Sequence, residues 1–109
     1  MHIPQNFPEK GFYYHYKHDP NGSLGNYAYE VLGVARHTED ETYLVMYRPL
    51  YKNTYFSGLA YSARPLDMFM EDVTKDGETI PRFQLITDSE ITSKLGLIKR
   101  QMYGNSDQS

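Results

Sequence analysis

The side chains of this chain that are best suited to bind a ligand are arginine, histidine and tyrosine residues in or beside strand-like segments. Seven of them form our candidate ligand-binding set: His15, Tyr16, Arg36, His37, Tyr47, Arg48 and Arg64. Arginine offers a planar fork for phosphate or carboxylate, histidine a donor that titrates near neutral pH, and tyrosine a flat ring with a polar tip. This combination predicts a module that binds a small anionic or planar ligand, such as a nucleotide or a nucleic-acid fragment.

Each arginine in that set also has a structural interpretation. One could bind a loop carbonyl, and another could pair with Glu30 or Glu71. Under this interpretation the guanidinium stabilises the fold and contacts no ligand.

Catalytic and metal-binding patterns are weaker than this binding pattern. His15, His18 and Asp19 could join His37 around a metal ion, because imidazole and carboxylate groups bind zinc and iron. Residues three apart on a strand, however, point to opposite faces. The chain has no cysteine, no glycine-rich phosphate loop and no Gly-x-Ser-x-Gly elbow. We therefore predict no catalytic residue, no metal site and no cofactor, and an enzyme is the less favoured class.

The tyrosines support an alternative function. The chain has 11 of them, and most are expected to form half-buried cross-strand pairs. If Tyr13, Tyr16, Tyr47 and Tyr61 instead form an exposed groove away from the arginines, the protein would be an interaction module for a peptide or protein partner. The location of these four rings discriminates between the two functions.

Length and charge limit the remaining classes. The chain has 109 residues, which predicts one small domain. Its 14 acidic and 11 basic residues give a net charge of -3, so nucleic acid is a partner that the overall charge does not favour. The sequence shows no signal-peptide pattern and no long apolar window, and it has no cysteine. We expect a cytoplasmic protein without membrane contact.

Strands are the elements that would position these residues. A first strand is predicted near 12–17, followed by a turn-rich break over 18–25 and two longer strands over 27–37 and 42–50. The polar segment Thr38–Glu41 has the length and polarity of a hairpin loop between the last two.

The length of that loop determines which side chains face each other. A four-residue loop pairs His37 with Thr42 and places Arg48 near Val31, whereas a three-residue loop reverses the faces and brings Arg48 opposite Glu30. The sequence alone does not choose between these registers. In both, the two faces of the hairpin are apolar, which favours a small barrel over an open sheet.

Beyond the hairpin, 59–63 is predicted to pair briefly, and Arg64–Phe69 to form a short helical turn that begins at Pro65. Asp76-Gly77 indicates a tight hairpin turn, and Pro81 indicates an edge strand. Together these segments give about five or six short strands.

The final segment is predicted to be helical. Thr87–Glu90 resembles a capping box, and apolar residues recur at helical spacing at Ile91, Leu95, Ile98 and Met102. The predicted organisation is an N-terminal extension (1–10), a β domain (11–86), a C-terminal helix (87–103) and a flexible tail (104–109).

Several stretches between Gly11 and Phe83 resemble the family called domain of unknown function 1653. They are His15-Tyr16-Lys17, Tyr29 to Glu39, Tyr47-Arg48-x-Leu50-Tyr51, Arg64-Pro65-Leu66-x-Met68-Phe69, Gly77 and Pro81-Arg82-Phe83. The resemblance implies an SH3-like β-barrel and supplies no catalytic residue. In the family an aromatic residue, often Trp, usually stands shortly before the Arg-Pro-Leu motif, and this chain has Tyr61 in that stretch. The chain also departs from the family pattern in its longer 18–26 segment and in its C-terminal helix. The predicted fold is therefore mainly β: a small SH3-like β-barrel with a short helical turn and a C-terminal helix.

Overall fold

A computed structural model describes residues 7–51 and 61–104 of the chain. The elements in chain order are β1 (Gly11–His15), β2 (Ala28–Arg36), β3 (Tyr43–Pro49), β4 (Ser62–Pro65), α1 (Leu66–Phe69), β5 (Asp72–Lys75), β6 (Glu78–Pro81), β7 (Phe83–Leu85) and α2 (Ser89–Tyr103). The predicted mainly β fold with a short helical turn and a C-terminal helix is confirmed, and the described residues contain seven strands where five or six were predicted. Residues 1–6, 59–60 and 105–109, which belong to the predicted extension, fourth strand and tail, lie outside the described residues.

The strands form two antiparallel sheets that do not close into a barrel within the described part of the chain. Five strands lie in the order β4-β3-β2-β1-β7, and β5 pairs with β6 in a separate sheet. The pairing therefore does not confirm the predicted closed barrel. The two apolar faces that led to this prediction are covered by other means, because α1 packs on one face of the large sheet and α2 on the other.

A β-bulge at Leu32 determines the register of the central hairpin. Near the loop, Arg36 pairs with Tyr43, as the four-residue loop requires. The register shifts by one residue at the bulge. On the side of the bulge away from the loop, Glu30 therefore pairs with Arg48, as the three-residue loop would require. Both predicted registers are therefore present, one on each side of Leu32.

The larger apolar cluster lies on one face of the five-stranded sheet. It consists of Tyr13, Tyr29, Val31, Val45, Tyr47, Phe69 and Phe83. Val34, which follows the bulge, also packs against it. In a regular strand Val31 and Val34 would point to opposite faces, so the extra residue of the bulge brings them to the same face.

Helix α2 covers the opposite face of the sheet. Its predicted apolar residues Ile91, Leu95, Ile98 and Met102 all belong to the cluster that packs there, and Leu95 is fully buried. The helix begins after Asp88, whose side chain accepts hydrogen bonds from the backbone N–H groups of the first turn. Neither helix in the described residues is long and apolar enough to cross a membrane.

The turn between β5 and β6 has the geometry that its sequence predicts. Asp76 and Gly77 have φ angles of 52° and 81°, both positive, as a two-residue turn of type I′ requires. Pro81 ends β6, which pairs only with β5 in the described structure. The predicted edge position of this proline is therefore confirmed.

A buried ionic network joins the sheet to α2. The Arg48 Nε donates to Glu30 Oε1 at 2.8 Å, and Lys99 Nζ of α2 lies 2.7 Å from Glu30 Oε2. The Arg48 guanidinium also lies 4.1 Å from the ring centroid of Tyr103, whose hydroxyl donates to the Pro49 carbonyl at 2.6 Å. Arg48 is only 3% exposed, so the network stabilises the packing of the helix on the sheet.

We expect Arg48→Ala to lower the free energy of unfolding by about 3–5 kcal/mol, because it breaks a buried ion pair and leaves Glu30 with Lys99 alone. The control is Arg36→Ala, which removes a half-exposed ion pair with Glu41 and should cost less than about 1 kcal/mol. Urea denaturation of both variants measures the difference. Equal losses would contradict the structural role of the network.

A second test concerns the close approach of the 18–26 segment to the end of β3. A Cβ at Gly25 would lie 2.7 Å from the Leu50 carbonyl oxygen, a backbone atom that cannot easily move. Gly25→Ala is expected to cost about 1–3 kcal/mol in thermal or chemical unfolding. Gly96→Ala in α2 is the control, because its Cβ meets nothing within 4 Å and helix propensity favours alanine by up to about 1 kcal/mol.

Candidate functional site

Four of the seven predicted site residues meet around Phe83. The His15 ring lies 5.1 Å from the Phe83 ring between centroids, and the Tyr47 ring lies 6.3 Å from it. The Arg64 guanidinium lies 5.5 Å from the same ring, and Tyr16 contacts His15 at 4.5 Å. β1, β3, β4 and β7 thus bring these side chains together on the face of the sheet that carries the larger cluster.

The other three predicted residues lie elsewhere. Arg36 pairs with Glu41 at 3.6 Å, and His37 lies 3.5 Å from Asp40, both at the loop end of the hairpin. This end is about 25 Å along β2 from the strand's first residues, at the usual rise of an extended chain. Arg48 is on the face covered by α2, in the ion pair with Glu30 that its structural interpretation anticipated.

Three tyrosines that were not among the predicted site residues complete the lining. Tyr27 lies 5.6 Å from His15, and Tyr51 lies 5.7 Å from Tyr27 and 5.6 Å from Tyr29 between ring centroids. Tyr27 and Tyr29 are two positions apart at the start of β2, and this spacing could have indicated them. We call the rings of His15, Tyr16, Tyr27, Tyr29, Tyr51 and Phe83 the aromatic site.

His15 is an uncharged ring within the aromatic site at neutral pH. Its pKa is lowered to about 4, mainly by burial of the ring and also by the positive charges of Lys17, Arg64 and Arg82. Its Nδ1 accepts the backbone N–H of Lys17 at 3.2 Å, so the proton of the neutral ring belongs on Nε2. His15 therefore offers one N–H donor and a flat face.

Two arginines beside this ring have unsatisfied donors. The Nε atoms of Arg64 and Arg82 are buried and have no hydrogen-bond partner in the described structure. The Arg82 Nη2 lies 2.5 Å from Glu71 Oε1, whereas no ion pair joins Arg64 to the described residues. Sequence reasoning did not select Arg82, although it stands directly before the buried Phe83. With Lys17, the surroundings of His15 hold more positive than negative charge.

The Tyr29 hydroxyl in the aromatic site is uncharged. The hydroxyls of Tyr29 and Tyr51 form a hydrogen bond of 2.5 Å. Burial raises the pKa of Tyr29 well above its usual value, and the bond to Tyr51 raises it further. The Tyr29 hydroxyl thus adds a polar atom without negative charge, so it does not repel an anion.

The tyrosines named for the alternative function do not form an exposed groove. Tyr13 and Tyr47 are 5% and 6% exposed and belong to the larger cluster, whereas Tyr61 is 48% exposed. Tyr61 also lies 5.6 Å from the Arg48 guanidinium, on the side of the sheet away from His15. The arrangement that would favour a peptide-binding face is absent from the described residues.

The histidines considered for a metal ion do not converge. His18 stacks on Tyr14 with ring centroids 3.5 Å apart, and its Nδ1 lies 2.7 Å from the Asn26 carbonyl. His15 is in the aromatic site, and His37 is at the far end of the hairpin. Residues 7–51 and 61–104 contain no group of three or more His, Cys, Asp or Glu side chains placed to hold a metal.

A groove of about 510 Å³ lies apart from the aromatic site, between the hairpin loop and α1. It is lined by Asp40, Thr42, Tyr43, Pro65, Leu66, Asp67 and Met68. None of the seven predicted residues lines it, and its two carboxylates would repel an anion. Its chemistry is therefore the opposite of that around His15.

Comparison with known proteins gives one family and one solved structure. The family described as "Protein of unknown function (DUF1653)" matches residues 11–85, which span β1 to β7 and the whole aromatic site. A crystal structure of a DUF1653 protein from Bordetella bronchiseptica is similar to this chain, with a TM-score of 0.58 and 34% sequence identity. The similarity covers 75% of this chain and 90% of the other. No curated protein matches the chain.

The depressed pKa of His15 predicts a loss of stability in mild acid. Between about pH 6.5 and 4 the unfolded chain binds a proton at this position and the folded chain does not, so the free energy of unfolding falls as the pH falls through this window. His15→Phe should reduce this loss, and the control His37→Phe should retain it. NMR titration should place the His15 midpoint near 4, and a midpoint near 6.5 would contradict the described environment.

Proposed function

The chain belongs to the DUF1653 family, and we propose that it binds a small anion that carries a planar group, at the aromatic site. The observation that carries this proposal is Arg64. Its guanidinium packs over Phe83 and lies next to an uncharged His15, and its buried Nε has no acceptor in the described residues. A buried donor without a partner costs stability, and an anionic oxygen from a ligand would supply the missing acceptor.

The cations of the site favour phosphate or carboxylate as the charged part of the ligand. Arg64 offers a fork that matches two oxygens of such a group, and Lys17 lies close enough to His15 to influence its protonation. The Nε2–H of His15 would add a neutral donor. Binding would thus combine one or two charge-assisted hydrogen bonds with a nearby positive field.

The exposed tyrosines favour a planar group as the second part of the ligand. Tyr27 is 37% exposed, and Tyr16 is partly exposed beside His15. An aromatic base that stacks on a tyrosine gains about 1–3 kcal/mol. A mononucleotide contains both the phosphate and the flat ring, so nucleotides are the ligand class that we propose first.

A nucleic-acid fragment is a larger version of the same ligand. The net charge of -3 opposes long-range attraction to a polyanion, while the local cations would favour one or two phosphates. The proposal is therefore for a short fragment at most. Its affinity should fall only modestly with salt, because the slope follows the number of phosphates that are neutralised.

For the fold, we propose an SH3-like barrel that is incompletely closed. The short antiparallel strands and the bulged central hairpin support this assignment. In such a barrel the β5–β6 hairpin would stand beside the open edges, β4 and β7.

Arg64→Gln should weaken the binding of adenosine monophosphate about ten- to a hundredfold, because a charge-assisted hydrogen bond contributes about 1.5–3 kcal/mol. Isothermal titration at low salt measures the affinity, and NMR shift changes at His15 and Tyr27 locate the ligand. Arg36→Gln is the control, because this arginine lies at the far end of the hairpin and should leave the affinity unchanged. Binding that does not depend on Arg64, or shift changes confined to α2, would refute the proposal.

A further inference from the structure

Glu71 is the carboxylate that contacts a cation of the aromatic site in the described structure. Its Oε1 lies 2.5 Å from Arg82 Nη2, and its backbone carbonyl accepts the Arg82 N–H at 2.9 Å. Arg82 in turn faces His15 closely enough to lower the pKa of that ring. Glu71 thus holds one of the two arginines on which an incoming anion would act.

The two partners of this ion pair differ in how firmly they are held. The Arg82 side chain is 23% exposed and its Nε is buried, whereas the Glu71 side chain is 52% exposed. Glu71 can therefore turn into water at little cost, whereas the mostly buried Arg82 side chain is held in place. An anion that replaces the carboxylate would leave both charges satisfied, Arg82 by the ligand and Glu71 by solvent.

We propose that Glu71 is a built-in competitor for the ligand's anionic group, which displaces it from Arg82 on binding. This inference rests on the proposed function of the aromatic site. Glu71 sets the affinity of the site because an anion must compete with it for Arg82. A weakly charged ligand does not displace Glu71 and therefore binds Arg64 alone. A phosphate ester has more oxygens and more charge, so it displaces Glu71 and binds Arg82 as well.

The test is Glu71→Gln, which preserves the shape and the backbone hydrogen bonds but removes the competing charge. Adenosine monophosphate should bind about two- to fivefold more tightly to this variant, the range expected when an exposed ion pair of up to about 1 kcal/mol is no longer broken on binding. Inorganic phosphate is the second probe, and its affinity should also increase in the Glu71→Gln variant. Isothermal titration at one pH and one salt concentration gives both affinities.

Asp72→Asn is the matched control. Asp72 is the next residue along the chain, is exposed, and makes no ion pair with the described residues. The substitution removes the same charge without touching Arg82, so it should change the affinity less than Glu71→Gln. An equal gain in both variants would mean that net charge alone matters and would overturn the proposal.

A double-mutant cycle tests the contact itself. In an Arg82→Gln background, Glu71→Gln should no longer increase the affinity, because the competition requires the arginine. A gain that persists in this background overturns the competitor role. If Glu71→Gln lowers the melting temperature so far that binding cannot be measured, Glu71→Asp, which keeps the charge but shortens its reach, should give a smaller gain in the same direction.

The outcomes separate this inference from the proposed function. If adenosine monophosphate binds in an Arg64-dependent manner and Glu71→Gln does not tighten it, the competitor role alone is refuted. If neither probe binds the wild-type chain or the Glu71→Gln variant, both the aromatic site and its competitor are refuted. Tighter binding that depends on both Arg64 and Arg82 supports both.

Discussion

The β-bulge at Leu32 is the constraint on which the rest of this structure depends. One extra residue in β2 allows Tyr29, Val31 and Val34 to face the larger cluster, although a regular strand would divide them between two faces. Gly33, directly after the bulge, has a φ of 154°, which residues with a side chain rarely adopt. The bulge also places Glu30 opposite Arg48, on the face that α2 covers.

The two faces of the sheet use arginine in different ways. On the α2 face, Arg48 is buried with Glu30 and Tyr103, and its charge is neutralised by the fold. On the other face, Arg64 lies over Phe83 without an ion pair in the described residues, and Arg82 has a half-exposed carboxylate as its partner. A buried arginine that is already paired would have to break its ion pair to bind a ligand, which costs stability. An arginine without an ion pair forms a new favourable interaction with an incoming anion. This difference supports a ligand site around His15 and not around Arg48.

Helix α2 extends beyond the part of the chain that the family match covers, which ends at residue 85. It packs through Leu95 and Tyr103 on the face away from the aromatic site and leaves the rings around His15 uncovered. His15 is uncharged because its ring is partly buried on the face opposite α2, and the charges that add to this effect, those of Lys17, Arg64 and Arg82, are all positive. The fold as a whole thus places the Glu30 carboxylate on one face of the sheet and the cations around His15 on the other.

The sequence by itself determined the features that depend on a few consecutive residues. The Asp76-Gly77 turn, the spacing of apolar residues in α2 and the hairpin around Thr38–Glu41 were predicted correctly, because backbone preference and periodicity act over short segments. Both candidate registers of the hairpin were also recognised, but the sequence could not show that each occupies one side of a bulge.

The sequence does not distinguish the arginines from one another. Only the tertiary structure decided which of them form ion pairs and which lie beside the aromatic site. Arg48 meets Glu30 because of a one-residue shift, and Arg64 and His15 both lie beside the Phe83 ring although β4 and β1 are on opposite sides of the central hairpin. Among the described residues the sheet also does not close into a barrel, and α1 and α2 pack on its two faces. These outcomes depend on contacts between residues far apart in the chain, and a local pattern does not contain them.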